Sequence, residues 1–120
     1  MELVPIVPIV GVATVFFVAF LAWDVLKRDT GTSEMVAIAD MIYQGAMAFL
    51  RRQYQTIAML AVVVGVLISA LIGYIDQSVN TGIETGIAFL VGATASGLAG
   101  FIGMYVAVRS NVRTASAARR

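Results

Sequence analysis

Three long apolar runs divide the chain, and polar or charged residues close each one. The first run, Leu3 to Trp23, holds 21 residues with Thr14 as its one polar side chain. A bilayer hydrocarbon core of about 30 Å takes roughly 20 helical residues, so the pattern predicts a span over about residues 3–26. Pro5 and Pro8 fall at its start, where a first helical turn tolerates a missing N–H. Trp23 ends the run as an interfacial aromatic does. A cleaved signal peptide would place bases before the apolar run and a small-residue cleavage site after it. Here Glu2 precedes, and Lys27 and Arg28 follow. The pattern therefore reads as a retained span.

The second run, Ile57 to Ile75, predicts a span over about 56–75. Ahead of it, residues 34–55 change character. Met35, Ile38, Ile42, Ala46, Phe49 and Leu50 recur at helical spacing, while Asp40, Gln44, Arg51 and Gln55 fall on another face. No proline interrupts Glu34 to Tyr74. The sequence predicts one helix of 41 residues, about 60 Å long at 1.5 Å per residue. Half of it must project beyond the membrane, as a cytoplasmic extension over 34–55. Ser33 is the expected N-cap, with Glu34 placed to complement the helix dipole.

A polar loop, Asp76 to Gly82, precedes the third run, which is apolar from Gly86 to Val108. Thr81 and Glu84 have capping-box spacing. A span over about 84–108 is expected, followed by a small, basic tail over 109–120. The fold class is all-α and integral to the membrane, with three transmembrane helices.

Composition agrees with this reading. Hydrophobic residues make up 60% of the 120, charged residues 12%, and mean hydropathy is +0.92. A soluble domain is roughly 45–50% apolar and about 25% charged. A soluble globular domain, a disordered chain and a nucleic-acid binder are excluded. With neither Cys nor His, there are no disulfides, no thiol nucleophile and no histidine base.

The net charge of +1 hides a strong asymmetry. In the three-span reading all eight bases fall on one side. Lys27 and Arg28 follow span one, Arg51 and Arg52 precede span two, and Arg109, Arg113, Arg119 and Arg120 follow span three. The positive-inside rule puts the N-terminus outside and the C-terminus in the cytoplasm. Lys27, Arg28, Arg51, Arg52, Arg109 and Arg113 are the expected topology anchors.

Small residues form stripes along two spans. Ala61, Gly65, Ser69 and Gly73 recur every fourth residue in span two. Gly92, Ser96, Gly100, Gly103 and Ala107 recur at spacings of 4, 4, 3 and 4 in span three. Such stripes let helix backbones approach closely in lipid, and the two spans are expected to pack as a hairpin. A proton-carrying rotor hairpin would need a carboxylate in mid-membrane. Neither Ile57–Tyr74 nor Gly86–Val108 contains one.

Asp24, Asp29, Glu34 and Asp40 share the basic side, but spacings of 5, 5 and 6 do not converge them on one helix face for an octahedral Mg²⁺. Arg109 and Arg113, four apart, have the spacing to grip a phosphate but read first as anchors. No Gly-rich phosphate loop follows a strand. The sequence offers no catalytic, cofactor-binding or metal-ligating residue.

Two stretches carry a resemblance. Gly45-Ala46, Phe49-Leu50 and Arg52-Gln53-Tyr54 lie in the first, from Ile38 to Ile57. Gly100 to Met104 and Asn111-Val-Arg-Thr-Ala115 lie in the second, from Phe89 to Arg119. Together they resemble the N-terminal part of the membrane-bound, ion-translocating inorganic pyrophosphatases. Gln44 stands where that family often has Glu, and Ser110 where Ala is common. The resemblance implies a larger multi-span helical fold in two rings, of which these three spans form part of the outer ring. It implies a pump that couples pyrophosphate hydrolysis to outward H⁺ or Na⁺ transport, uses Mg²⁺ and forms a homodimer. The metal- and substrate-binding Asp- and Lys-rich motifs of the family have no counterpart here. The chain is thus expected to be an inactive, structural N-terminal fragment. Its expected partners are the lipid bilayer and the remaining helices of the same full-length chain, in a prokaryotic plasma membrane. The competing reading is a free-standing three-span scaffold or accessory subunit.

Overall fold

The computed structural model describes residues 3–120. It contains three α-helices and, among the described residues, no strand: α1 over Ile6–Leu26, α2 over Ser33–Ile75 and α3 over Val79–Ala118. All three are long and apolar enough to cross a membrane. Nearly all their large apolar side chains face outward, among them Phe16, Phe17, Val66 and Leu71. In water that would be untenable; in lipid the tails are as apolar as leucine, and outward-facing apolar residues carry no cost. The protein is integral to the membrane.

Helix α2 has 43 residues, one more at each end than the pattern predicts. Its N-cap is Thr32 rather than Ser33. The Met35 amide donates to Thr32 Oγ1 at 3.3 Å and the Val36 amide to the Thr32 carbonyl at 3.0 Å. Ser33 and Thr32 are both competent caps. Asp29 and Gly31 decide between them. The Gly31 amide donates to Asp29 Oδ1 at 3.0 Å, and Gly31 takes a φ of 83°, which turns the chain into Thr32.

The turn from α2 to α3 is a Schellman motif. The Ser78 amide donates to the Gly73 carbonyl at 3.1 Å and the Gln77 amide to the Tyr74 carbonyl at 3.4 Å. Gln77 occupies the left-handed position at φ 52°, and its side-chain amide donates to the Tyr74 carbonyl at 2.7 Å. Ser78 then caps α3, its Oγ accepting from the Thr81 amide at 3.3 Å. The helix therefore begins before the Thr81–Glu84 pair, and Thr81 lies in its first turn.

The chain forms two compact units. One runs up to Tyr43 and includes Val106–Arg120; the other is Gln44–Tyr105. In the first, the basic tail is helical as far as Ala118, and Val108, Val112 and Ser116 are buried at i, i+4 and i+8. Ser116 approaches Gly31, where a Cβ would stand 3.1 Å from Ser116 Oγ and 2.8 Å from Met35 Sδ. In the second unit, buried Gly65, Gly82 and Gly86 mark the closest packing of α2 against α3.

Hydroxyls within the helices turn back on their own backbone. Thr14 donates to Val10, Thr85 to Thr81 and Thr94 to Leu90, each at 2.8 Å. In hydrocarbon a hydroxyl without a partner is expensive, and the carbonyl four residues earlier is the nearest acceptor.

Candidate functional site

Within the Gln44–Tyr105 unit the two antiparallel segments make a seam of glycine and serine. A Cβ on Gly65 would meet Leu90 Cδ2 and Phe89 Cδ1 at 3.3 Å. Ser69 Oγ donates to the Gly82 carbonyl at 2.7 Å. A Cβ on Gly82 would stand 2.9 Å from Gly73 Cα and closer still to the Ser69 carbonyl oxygen, and one on Gly86 would stand 2.9 Å from Ser69 Cβ. Helix α2 thus presents Gly65, Ser69 and Gly73 to the seam. Opposite them α3 presents Gly82 and Gly86, with Phe89 and Leu90 one turn on.

The small residues singled out in span three are placed differently. Gly92 and Gly103 have open space where a Cβ would stand. Gly100 faces the Tyr54 hydroxyl, at 2.9 Å from its Cβ position. Ala61 and Ser96 line an apolar groove that begins beyond the Gly65 contact, and Ala107 is exposed. The Tyr54 hydroxyl donates to the Gly97 carbonyl at 2.9 Å, and its ring tilts against Phe101 with centroids 6.5 Å apart. Arg52-Gln53-Tyr54 and Gly100 to Met104 belong to the two stretches with the most specific resemblance, so the structure brings those stretches together. Sequence spacing misses the Tyr54–Gly97 bond because Gly97 lies off the expected stripe.

In the unit that includes Val106–Arg120, five basic residues make contacts. Asp24 pairs with Lys27 at 3.0 Å and Arg28 at 2.6 Å. Lys27 also lies 4.0 Å from the Trp23 ring centre, a cation–π contact at an interfacial aromatic. Arg113 Nε donates to the Arg28 carbonyl at 3.2 Å, and its Nη1 donates to the Arg109 carbonyl. The Arg109 guanidinium lies 4.0 Å from the Tyr43 ring centre. Arg120 pairs with Asp29. The Gly31 amide, with Arg120 behind it, holds the Asp29 carboxyl below the usual carboxylate range. Arg51 and Arg52, in the other unit, are exposed.

Among the described residues no group of three or more carboxylates is placed to hold a metal ion. Asp24 and Asp29 are engaged by bases, and Glu34 lies in the first turn of α2.

The fold is that of an all-helical membrane protein, with three helices long and apolar enough to span a bilayer. A family model described as inorganic H⁺ pyrophosphatase matches residues 12–120. The K⁺-insensitive pyrophosphate-energized proton pump 2 of Moorella thermoacetica is 48% identical over 119 residues, covering 99% of this chain and 16% of the relative. The K⁺-insensitive pump of Methanosarcina mazei is 42% identical over 92% of this chain, again 16% of the relative. The pyrophosphate-energized membrane proton pump 3 of Arabidopsis thaliana is 42% identical over 84% of the chain and 14% of its own length. No solved structure matches. The chain belongs to the membrane pyrophosphatase family and spans about a sixth of the length of the relatives it matches.

Proposed function

We propose that this chain is the amino-terminal packing segment of a pyrophosphate-energised proton pump. The observation that carries the reading is similarity along nearly the whole chain, at 48% identity over 119 residues, to a pump of that name. A free-standing scaffold has no reason to keep such similarity through both its spans and its tail. The relatives named K⁺-insensitive proton pumps support H⁺ as the ion and independence from K⁺. By the positive-inside rule, the distribution of bases supports an N-terminus outside and a tail in the cytoplasm.

The role of these residues is structural. Hydrolysis of pyrophosphate needs an activated water, metal ions to neutralise the phosphate oxygens and cations for the leaving group. Helices beyond this segment supply them, and Mg²⁺ is held there. The glycine seam of α2 and α3 supports those helices as part of an outer ring, and the pump assembles as a homodimer, as the resemblance implies.

The test is a replacement. Residues 1–120 are exchanged for the matching segment of the Moorella thermoacetica pump, and phosphate release from pyrophosphate is measured in membranes. Retained hydrolysis in the chimera, with none from the chain alone, supports the reading. Hydrolysis by the chain alone, or a chimera that inserts in the membrane but is inactive, overturns it.

A further inference from the structure

Between the glycine seam and the Tyr54–Gly97 bond, the helices of the Gln44–Tyr105 unit leave an apolar groove of about 960 Å³. Ala58, Ala61, Ala93, Ser96 and Gly97 are small residues of its lining, with larger Leu60 and Phe101 beside them. Along α2 it runs from Tyr54 to Val64, ten steps of 1.5 Å, or about 15 Å. That is half the hydrocarbon thickness of about 30 Å, the depth of one leaflet. A crossing helix needs a groove twice as long. Of the three hydroxyls in the lining, those of Tyr54 and Thr94 already donate to the Gly97 and Leu90 carbonyls, and Ser96 is the third.

The end of the groove at Tyr54 is positively charged. Arg51 stands three, seven and ten residues before Tyr54, Ala58 and Ala61, which places all four on one face of α2. Arg52 is its neighbour. Both are exposed, and among the described residues neither pairs with a carboxylate. A long arginine beside an apolar surface lays its stem along it and keeps its head at the headgroup level.

We propose that this groove takes one acyl chain of an anionic phospholipid, whose phosphate is held by Arg51 at the groove mouth. One-leaflet length, an apolar lining and a basic mouth together match a lipid and not a spanning helix. The inference goes beyond the pump reading and does not rest on it.

The test uses the whole membrane protein that carries this segment, reconstituted in phosphatidylcholine vesicles. Small amounts of phosphatidylglycerol or phosphatidylcholine, each with a photoactivatable diazirine on one acyl chain, are added, and adducts are mapped by mass spectrometry. Phosphatidylglycerol labels Ala58, Ala61 and Ala93 about fivefold more than phosphatidylcholine does, the preference expected of one basic side chain near an anionic headgroup. Arg51→Gln, an exposed change that leaves the fold intact, removes that preference. Ala93→Trp, which fills the groove, removes the adducts from both probes. Three results overturn the proposal: equal labelling by both lipids, a preference that survives Arg51→Gln, or a groove free of adducts because a helix or a second copy covers it.

Discussion

The Tyr54 hydroxyl donates to the Gly97 carbonyl, 43 positions further along the chain, and the absence of a side chain at Gly100 leaves room for it. A helix–helix hydrogen bond in a membrane is worth about 0.6 kcal/mol on average and up to about 1.7. Tyr54→Phe should therefore lower the stability of the solubilised protein by about 1 kcal/mol. Gly100→Ala should cost a similar amount by displacing the hydroxyl, yet be nearly neutral in the Tyr54→Phe background. A double-mutant cycle in denaturant reads that coupling; strict additivity would mean that the two positions act separately.

The glycine seam gives a sharper contrast. A methyl at Gly82 would collide with backbone atoms of Gly73 and Ser69, which cannot swing aside as a side chain does. Gly82→Ala should cost about 1–3 kcal/mol, the usual range for overpacking. Gly92→Ala meets open space and should change stability by no more than about 0.5 kcal/mol. Thermal unfolding of the two variants side by side decides, and equal losses would move the contact face of α3 away from Gly82.

Much of the fold is legible in the sequence, because hydrophobic runs of membrane length and an unbroken helical period leave few alternatives. Helix α2 needs only one more residue at each end than its pattern suggests. The family is legible too, in Arg52-Gln53-Tyr54 and in the Gly100 and Asn111 stretches. What the pattern hides is the partner of each position. Helix α3 is so rich in glycine that several stripes can be drawn along it, and only α2 decides that Gly82 and Gly86 are the crowded ones. Ser33 and Thr81 are sound caps in isolation, yet Thr32 and Ser78 do the capping, because Gly31 and Gln77 turn the chain one to three residues earlier. The tail reads as small and basic, which conceals the buried Val108–Val112–Ser116 face.

Asp29 offers a test by pH. Its carboxyl is held below its ordinary range, first by the Gly31 amide and then by Arg120. A depressed carboxylate stabilises the fold fully above the unfolded value of about 3.9 and loses that contribution as pH falls through the folded value. The Gly31 amide should be protected from hydrogen exchange at pH 6 and lose protection as the pH drops below about 4. Asp29→Ala should abolish the pH dependence. Protection that is unchanged in the variant at pH 6 would remove Asp29 from the turn.

The orientation can be read directly, since the chain has no native cysteine. Asn80 and Ala118 are both exposed, whereas Ser116 is buried and unsuited to a probe. Single cysteines at Asn80 and Ala118 should react with a membrane-impermeant reagent from opposite sides, Asn80 from outside. Reaction of both from one side would contradict three crossings.

The central claim is that this segment contributes packing and not chemistry to a pyrophosphate-driven pump. Pyrophosphate-dependent proton uptake by inverted vesicles, measured on the pump that carries residues 1–120, tests it most directly. Asp40, the carboxylate of α2 beyond its first turn, is the residue whose loss would matter if the segment did chemistry. The account predicts that Asp40→Asn pumps at the parent rate per folded molecule. It predicts that Gly82→Leu pumps little because little folded protein accumulates. Abolished uptake by a fully folded Asp40→Asn pump would contradict the account and make α2 part of the catalytic machinery.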